Sequence, residues 1–206
     1  MVALAQQSNI LDFPSVAPQG KSNEWFTPSR YVEAARKVMG SIDLDPASCE
    51  MANRVVRAAR YYTKQDNGLA QEWYGRVWLN PPYGSIDQSR KMGLAAFIGK
   101  LIAEYHDGNI EQAVLLATSR VSSSWFSYFW QFPICFVNHD IQFDCLIRNK
   151  HRYNGKANHA YGSVFVYLGS NEQKFIDIFS QFGTIAKRVS QPRHTIATPS
   201  LWEVAE

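Results

Sequence analysis

The sequence predicts an α/β protein with a mostly parallel sheet and an antiparallel strand at one edge. Apolar, β-prone runs alternate with helical patterns along most of the chain, which is the order typical of strands joined by helices. Residues 113–117 form a near-continuous apolar run, as expected for a strand buried on both faces. The last strand-like segments follow one another closely, and this spacing predicts the antiparallel edge strand.

Length and composition predict a single domain with a sizeable core. The chain has 206 residues, of which 46% are hydrophobic and 14% aromatic. Residues 1–22 are polar and turn-rich and are expected to form a flexible arm. The expected folded domain is 23–187, and 188–206 is expected to form a tail.

The composition argues against export and against a membrane span. No run of 18 apolar residues occurs, and the first residues lack the basic start of a signal sequence. Cys49, Cys135 and Cys145 are odd in number and have no paired spacing, which disfavours a disulfide framework or a zinc site. We therefore expect a cytoplasmic protein. The net charge of +3 permits a nucleic-acid partner without requiring one.

The first helix is predicted from Thr27 and Pro28 to Met39. Threonine is a good helix cap, proline suits the first turn, and Gly40 ends the pattern. An apolar stripe at helical spacing supports the prediction: Tyr31, Ala34, Ala35 and Val38.

An acidic corner follows this helix. The segment 42–45 alternates apolar and acidic residues and leads into Pro46, Ala47 and Ser48. A strand that ends in an acid before a new helix is typical of a ligand site at the carboxyl edge of a parallel sheet, where the acid binds a hydroxyl or ammonium group. The alternative is that Asp45 caps the next helix, predicted over 50–60, with Arg54, Arg57 and Arg60 on one solvated face. Residues 66–69 then predict a turn.

The most informative stretch is the short apolar strand 77–79, which Asn80, Pro81 and Pro82 stop before Tyr83. If the Asn80 oxygen and the Pro81 carbonyl each accept one hydrogen of a planar amino group, its nitrogen can pyramidalise and attack an electrophile. Tyr83 offers a face on which a base can stack, worth about 1–3 kcal/mol. The alternative is an ordinary strand exit with an Asx turn.

The second half of the chain predicts helices at 89–106, 125–131 and 171–182. Strands are predicted at 134–137 and 141–144, joined by 138–140, and at 162–168. Between them, 148–156 is the most basic segment of the chain. It is either a phosphate-contacting loop or an exposed hairpin loop. The candidate nucleic-acid contacts are Arg148, Lys150, Arg152 and Lys156.

With these segments in order, the sequence resembles the DNA adenine methyltransferases of the Dam-like type from phages and bacteria. The matching stretches are 24–28, 42–48, 66–69 and 77–84. The resemblance implies a Rossmann-like class I methyltransferase fold and transfer of a methyl group from S-adenosylmethionine to the 6-amino group of adenine. The implied partner is DNA, as single strands or as a duplex with a flipped adenine. The sulfonium charge drives the transfer, so no metal is required.

The resemblance also implies the site residues. The catalytic residues would be Asn80, Pro81, Pro82 and Tyr83. The residues that bind S-adenosylmethionine would be Trp25, Phe26, Thr27, Pro28, Asp43, Asp45, Pro46, Ala47, Ser48 and Asp66. The Gly-x-Gly that usually follows the acid is replaced by Ser48-Cys49-Glu50-Met51, so this corner is expected to approach the cofactor less closely.

Two other functions remain open at this point. Asn-Pro-Pro-Tyr also occurs in enzymes that methylate glutamine amides, because a glutamine side chain offers the same planar amino group. A relative that binds DNA without catalysis is the third reading. The basic segment 148–156 favours DNA over a protein substrate.

Overall fold

The structure, a computed structural model, describes residues 26–82, 93–144, 156–157 and 162–188. The α-helices are α1 (Ser29–Met39), α2 (Glu50–Val56), α3 (Leu94–His106) and α4 (Glu172–Phe179), and two 3₁₀ helices are Gly68–Ala70 and Ser124–Gln131. The strands are β1 (Leu44–Asp45), β2 (Arg60–Tyr61), β3 (Gly75–Leu79), β4 (Ile110–Thr118), β5 (Ile134–Val137), β6 (Phe143–Asp144), β7 (Lys156–Ala157), β8 (Ser163–Leu168) and β9 (Gly183–Ala186).

A seven-stranded sheet forms the centre of the fold, with the order β2-β1-β3-β4-β8-β5-β9. The predicted α/β class is confirmed, and β2, β1, β3 and β4 run parallel. An antiparallel strand lies at one edge as predicted, but it is β9, a segment that the sequence did not predict as a strand. β8 is also antiparallel and lies inside the sheet. Every residue of β8 is buried, and the strand is hydrogen-bonded to β4 on one side and to β5 on the other.

The predicted strand at 141–144 is shorter than expected and belongs elsewhere. Only Phe143–Asp144 is extended, and this strand, β6, pairs with β7 in a separate two-stranded sheet. The preceding strand β5 pairs instead with β8 and β9.

Two hydrophobic cores cover the two faces of the large sheet. Alternate residues of a strand point to opposite faces, so Trp78 packs with α1 and α4, whereas Val77 and Leu79 pack with α3. Residues 113–117 of β4 are at most 1% exposed, which confirms the predicted doubly buried strand. Among the described residues, no helix is long and apolar enough to cross a membrane.

The predicted cap of α1 is wrong. The helix begins at Ser29 and its cap position is Pro28, with no side-chain hydrogen bond to the helix amides. The Thr27 hydroxyl accepts a hydrogen bond from the Asn80 side chain instead. The predicted end is confirmed, since Gly40 follows Met39 with a φ of 91°.

The helix α2 is shorter than predicted. It ends at Val56, and Arg57 has a positive φ of 50°. The Asn53 side chain bonds both the amide and the carbonyl of Ala58, which turns the chain out of the helix. Arg60 therefore lies on β2, and the three arginines do not share one helical face.

A close backbone contact supports the acidic corner. The turn at 63–67 leads into a short 3₁₀ helix, Gly68–Ala70. A Cβ atom on Gly68 would lie 1.9 Å from the carbonyl oxygen of Pro46. Because a backbone atom cannot move aside as a side-chain tip can, only glycine fits here.

We predict that Gly68→Ala lowers the free energy of unfolding by about 1–3 kcal/mol, because the new methyl group overlaps the Pro46 carbonyl. Urea denaturation measures this change. The matched control is Gly99→Ala within α3, where an added Cβ meets nothing within 4 Å. That substitution is expected to stabilise the protein by about 0.5–1 kcal/mol. Equal effects at the two glycines would contradict the close contact.

Candidate functional site

The strand order creates a switch point between β1 and β3. From β1 the chain passes through α2 to β2 on one side and then returns to form β3 on the other side. Parallel α/β sheets bind ligands in the crevice at the carboxyl ends of such strands. Leu44 pairs with Val77, and Leu79 with Leu115, so Asp45, Asn80 and Thr118 all lie at this end, here called the carboxyl edge.

Asp45 is the buried acid of this edge. It is 3% exposed, and its Oδ1 accepts a hydrogen bond from the Ala47 amide at 3.3 Å. Burial raises the pKa of its carboxyl group to about 7, with the Ser48 hydroxyl and the Ala47 amide acting in the opposite direction. Among the described residues, no lysine, arginine or histidine forms an ion pair with Asp45.

Two buried hydroxyl groups at the same edge lack partners. Among the buried side-chain polar atoms of the described residues, two form no hydrogen bond. They are the hydroxyl oxygens of Ser48 and Thr118. The Ser48 hydroxyl lies near Asp45 without the geometry of a hydrogen bond. Buried polar atoms are rarely left without a partner, so these positions favour a polar ligand.

Asn80 immediately follows β3 and is half-buried. Its Nδ2 donates a hydrogen bond to Thr27 Oγ1 at 3.1 Å. Pro81 is buried and Pro82 is exposed, so the segment passes from the core to the surface within these residues. Proline has no amide hydrogen, and this exit from the strand therefore presents acceptors rather than donors.

The carboxyl edge thus holds two distinct polar groups on adjacent strands, which are about 4.8 Å apart in a sheet. A buried carboxyl ends β1 and an unpaired hydroxyl follows this strand, whereas an amide with proline carbonyls follows β3. Such an arrangement can bind two reactants side by side. Within the described residues, no group of three or more histidine, cysteine or acidic side chains could hold a metal ion.

A comparison with protein families matches this chain to the DNA N-6-adenine-methyltransferase (Dam) family over residues 15–191. The chain belongs to this family. No curated protein and no solved structure matches it. The match spans both the acidic corner and the Asn80 segment, which the fold brings to neighbouring strands.

The structure places several predicted site residues of this Dam family member at the carboxyl edge. Around Asp45 lie the buried Pro46 and the half-buried Ala47 and Ser48. Thr27 is buried against Asn80, and Phe26 and Pro28 flank it and are half-buried.

Asp43 lies at the opposite end of β1. Its Oδ2 accepts hydrogen bonds from the Arg76 Nε at 2.8 Å and from the Arg76 amide at 2.9 Å. The Arg76 guanidinium holds the pKa of this carboxyl group below its usual value. Arg76 is near the start of β3, whereas Asn80 follows the end of this strand. Asp43 is therefore paired with a cation at the amino end, and Asp45 belongs to the carboxyl edge with Asn80.

Asp66 is exposed in the turn that precedes Gly68. Its Oδ2 accepts hydrogen bonds from the amide and the hydroxyl of Thr63, both at 2.7 Å, and these bonds lower the pKa of the carboxyl group. A role for Asp66 in cofactor binding remains a prediction.

The remaining predicted site residues lie outside the described part of the chain. They are Trp25, Tyr83, Arg148, Lys150 and Arg152. Lys156 lies on β7, and only its backbone is described.

The sequence reading assigned no role to Thr118, although it does lie at the candidate site. A usable signal was present, because Thr118 is the first polar residue after the apolar run of β4. A hydroxyl at the carboxyl end of a central parallel strand is a candidate ligand contact on position alone.

We predict that replacing Asp45 with asparagine removes a pH-dependent loss of stability. In the unfolded chain this carboxyl ionises near 3.8, whereas in the folded protein its pKa is about 7. Between these values the unfolded state has lost a proton that the folded state keeps, so rising pH favours unfolding by up to about 1.4 kcal/mol per unit.

The measurement is the free energy of unfolding of both proteins between about pH 4 and pH 8, because the destabilisation is absent below this window and fully developed above it. The variant is expected to gain stability relative to the native chain as the pH rises through this range. Parallel curves for the two proteins would show that the buried carboxyl does not titrate as expected.

Proposed function

We propose that this Dam family member methylates DNA, transferring a methyl group from S-adenosylmethionine to the exocyclic 6-amino group of adenine. The observation that carries the proposal is the position of Asn80 beside the Asp45 corner, at the switch point between β1 and β3. This position brings an amine-binding segment next to a polar ligand site.

The acidic corner fits a ligand that carries hydroxyl and ammonium groups, as S-adenosylmethionine does. Asp45 is a buried carboxyl with no cation partner among the described residues, and the Ser48 hydroxyl has no hydrogen bond. A hydroxyl or ammonium group would satisfy both, and it would favour the ionised form of Asp45. We propose that these two residues, with Pro46, Ala47, Phe26 and Pro28, hold the methyl donor. The donor supplies an electrophilic methyl group on a sulfonium centre.

The segment after β3 would hold the acceptor. The Asn80 side-chain oxygen and the Pro81 carbonyl accept the two amino hydrogens of adenine, so the nitrogen lone pair is freed from the ring. Pro82 stiffens this segment, and Tyr83 stacks on the base. No residue needs to remove a proton before transfer, because the amino group attacks as the neutral nitrogen. As the carbon–nitrogen bond forms, the carbon–sulfur bond would break and leave a neutral thioether, and the cationic methylated nitrogen would then lose one proton to solvent. These residues therefore act by positioning and by polar complementarity.

We propose that the target base leaves the double helix, and the position of Asn80 supports this. Asn80 is half-buried and hydrogen-bonded to the buried Thr27, so a base stacked within a duplex would not reach it. Extruding a base costs a few kcal/mol, and an unpaired adenine avoids this cost. We propose that Arg148, Lys150, Arg152 and Lys156 contact the phosphate backbone, which would make binding sensitive to salt.

Asn80→Ala is predicted to abolish methyl transfer while leaving S-adenosylmethionine binding mostly intact, because Asn80 binds the acceptor and not the donor. Transfer from labelled S-adenosylmethionine to unmodified DNA measures the first effect, and calorimetry measures the second. Asn109→Ala is the matched control, since Asn109 is exposed at the amino end of β4.

Methylation by a folded Asn80→Ala variant would contradict the proposed role of this residue. A glutamine-containing peptide is the second substrate in the same assay. Transfer to the peptide but not to DNA would favour a glutamine methyltransferase over the DNA enzyme.

Ser48→Ala is predicted to weaken S-adenosylmethionine binding by about three- to tenfold, as expected for the loss of one neutral hydrogen bond. Calorimetry gives the dissociation constant. Ser180→Ala is the control, because Ser180 is exposed at the end of α4. An unchanged dissociation constant in Ser48→Ala would show that the unpaired hydroxyl does not contact the donor.

A further inference from the structure

The hydroxyl of Thr27 contacts the side chain of Asn80 and does not cap a helix. Thr27 is 8% exposed, and its Oγ1 lies 3.1 Å from Asn80 Nδ2. The two residues are far apart in sequence and come from different elements, since Thr27 precedes α1 and Asn80 follows β3. This contact joins the segment before α1 to the segment that would bind the acceptor.

The segment that carries Thr27 is firmly held. Tyr31, one turn into α1, donates its amide hydrogen to the Pro28 carbonyl and is fully buried. Its ring packs against Phe165 of β8 and against Phe182, with centroid distances of 5.3 Å and 4.8 Å. Because the core fixes α1, the Thr27 hydroxyl is held in one position relative to Asn80.

An asparagine side chain has one acceptor end and one donor end of nearly the same shape. Only the acceptor end can bind the hydrogens of an amino group, and the donor end would repel them. The two orientations therefore differ greatly in function although they differ little in packing. A threonine hydroxyl can accept from Nδ2 or donate to Oδ1. In the structure it accepts from Nδ2, which turns Oδ1 away from Thr27.

We propose that Thr27 is a positioning residue of the methyl-transfer site, whose hydroxyl holds the Asn80 amide with its oxygen directed to the acceptor amine. This inference rests on the proposed function and deepens it, because it assigns Thr27 to the acceptor side of the reaction. A residue of the donor site alone would affect the binding of S-adenosylmethionine. A residue that orients Asn80 affects the rate of transfer from the bound complex.

The test compares Thr27→Val, which keeps the shape and removes the hydroxyl, with Thr27→Ser, which keeps the hydroxyl. In Thr27→Val, kcat for methylation of unmodified DNA is expected to fall about 10- to 100-fold, the size of effect that a misplaced reacting group produces. The dissociation constant of S-adenosylmethionine, measured by calorimetry, is expected to stay within about twofold, since no donor contact is lost. Thr27→Ser is expected to restore most of the native kcat.

Thr184→Val is the matched control for the chemical change. Thr184 is exposed on the edge strand β9, and its replacement is expected to leave kcat unchanged. Thermal unfolding shows whether each variant folds. If Thr27→Val does not fold, Thr27→Ala against Thr27→Ser provides the same comparison of a missing and a retained hydroxyl.

Three results would overturn the inference. A native kcat in a folded variant without the hydroxyl would show that Asn80 needs no such support. A weaker binding of S-adenosylmethionine with unchanged kcat would make Thr27 a donor contact. No transfer to DNA by the native chain would overturn the proposed function, and this inference with it, so the native assay distinguishes the two failures.

Discussion

The register between β1 and β3 is the constraint on which the candidate site depends, because it sets the Asp45 corner beside Asn80. The described ladder between these short strands contains one residue pair, Leu44 with Val77. Bonds at the amino end also hold the register, where the Asp43 amide donates to the Arg76 carbonyl and the Asp43 carboxylate accepts from the Arg76 amide and guanidinium. A slip of one residue would break these bonds and turn the corner to the other face of the sheet.

The two hydrophobic cores hold the strands of the sheet rigidly, so the fold can tolerate buried polar groups at the carboxyl edge. Neighbouring residues of β3 and β4 are buried on opposite faces, so neither strand can rotate without exposing apolar surface. At the carboxyl edge the protein accepts a buried carboxyl and two unpaired hydroxyl groups, all of which reduce its stability. Polar groups that the fold leaves without partners are the ones that a ligand can satisfy.

Local patterns predicted most elements, and their errors have identifiable causes. The apolar stripe of α1 and the apolar run of β4 gave the correct elements because burial imposes these periods directly. The ends of helices were predicted less well. Asn53 bonds Ala58 and shortens α2, and Thr27 bonds Asn80 across the fold. Both contacts depend on side-chain geometry that hydrophobic periodicity does not contain.

The sequence by itself determined the chemistry at the ends of the strands, since proline stops a strand at Asn80 and an acid stands at the end of β1. It did not determine which acid belongs to the site. In an extended chain Asp43 and Asp45 point to the same face, so the period of the strand cannot distinguish them. The tertiary structure decided which acid belongs to the site. β3 places Arg76 beside Asp43, whereas Asp45 is buried and forms no ion pair with any described residue. The position of β8 inside the sheet was likewise decided by tertiary pairing, since a buried apolar strand carries no record of its direction.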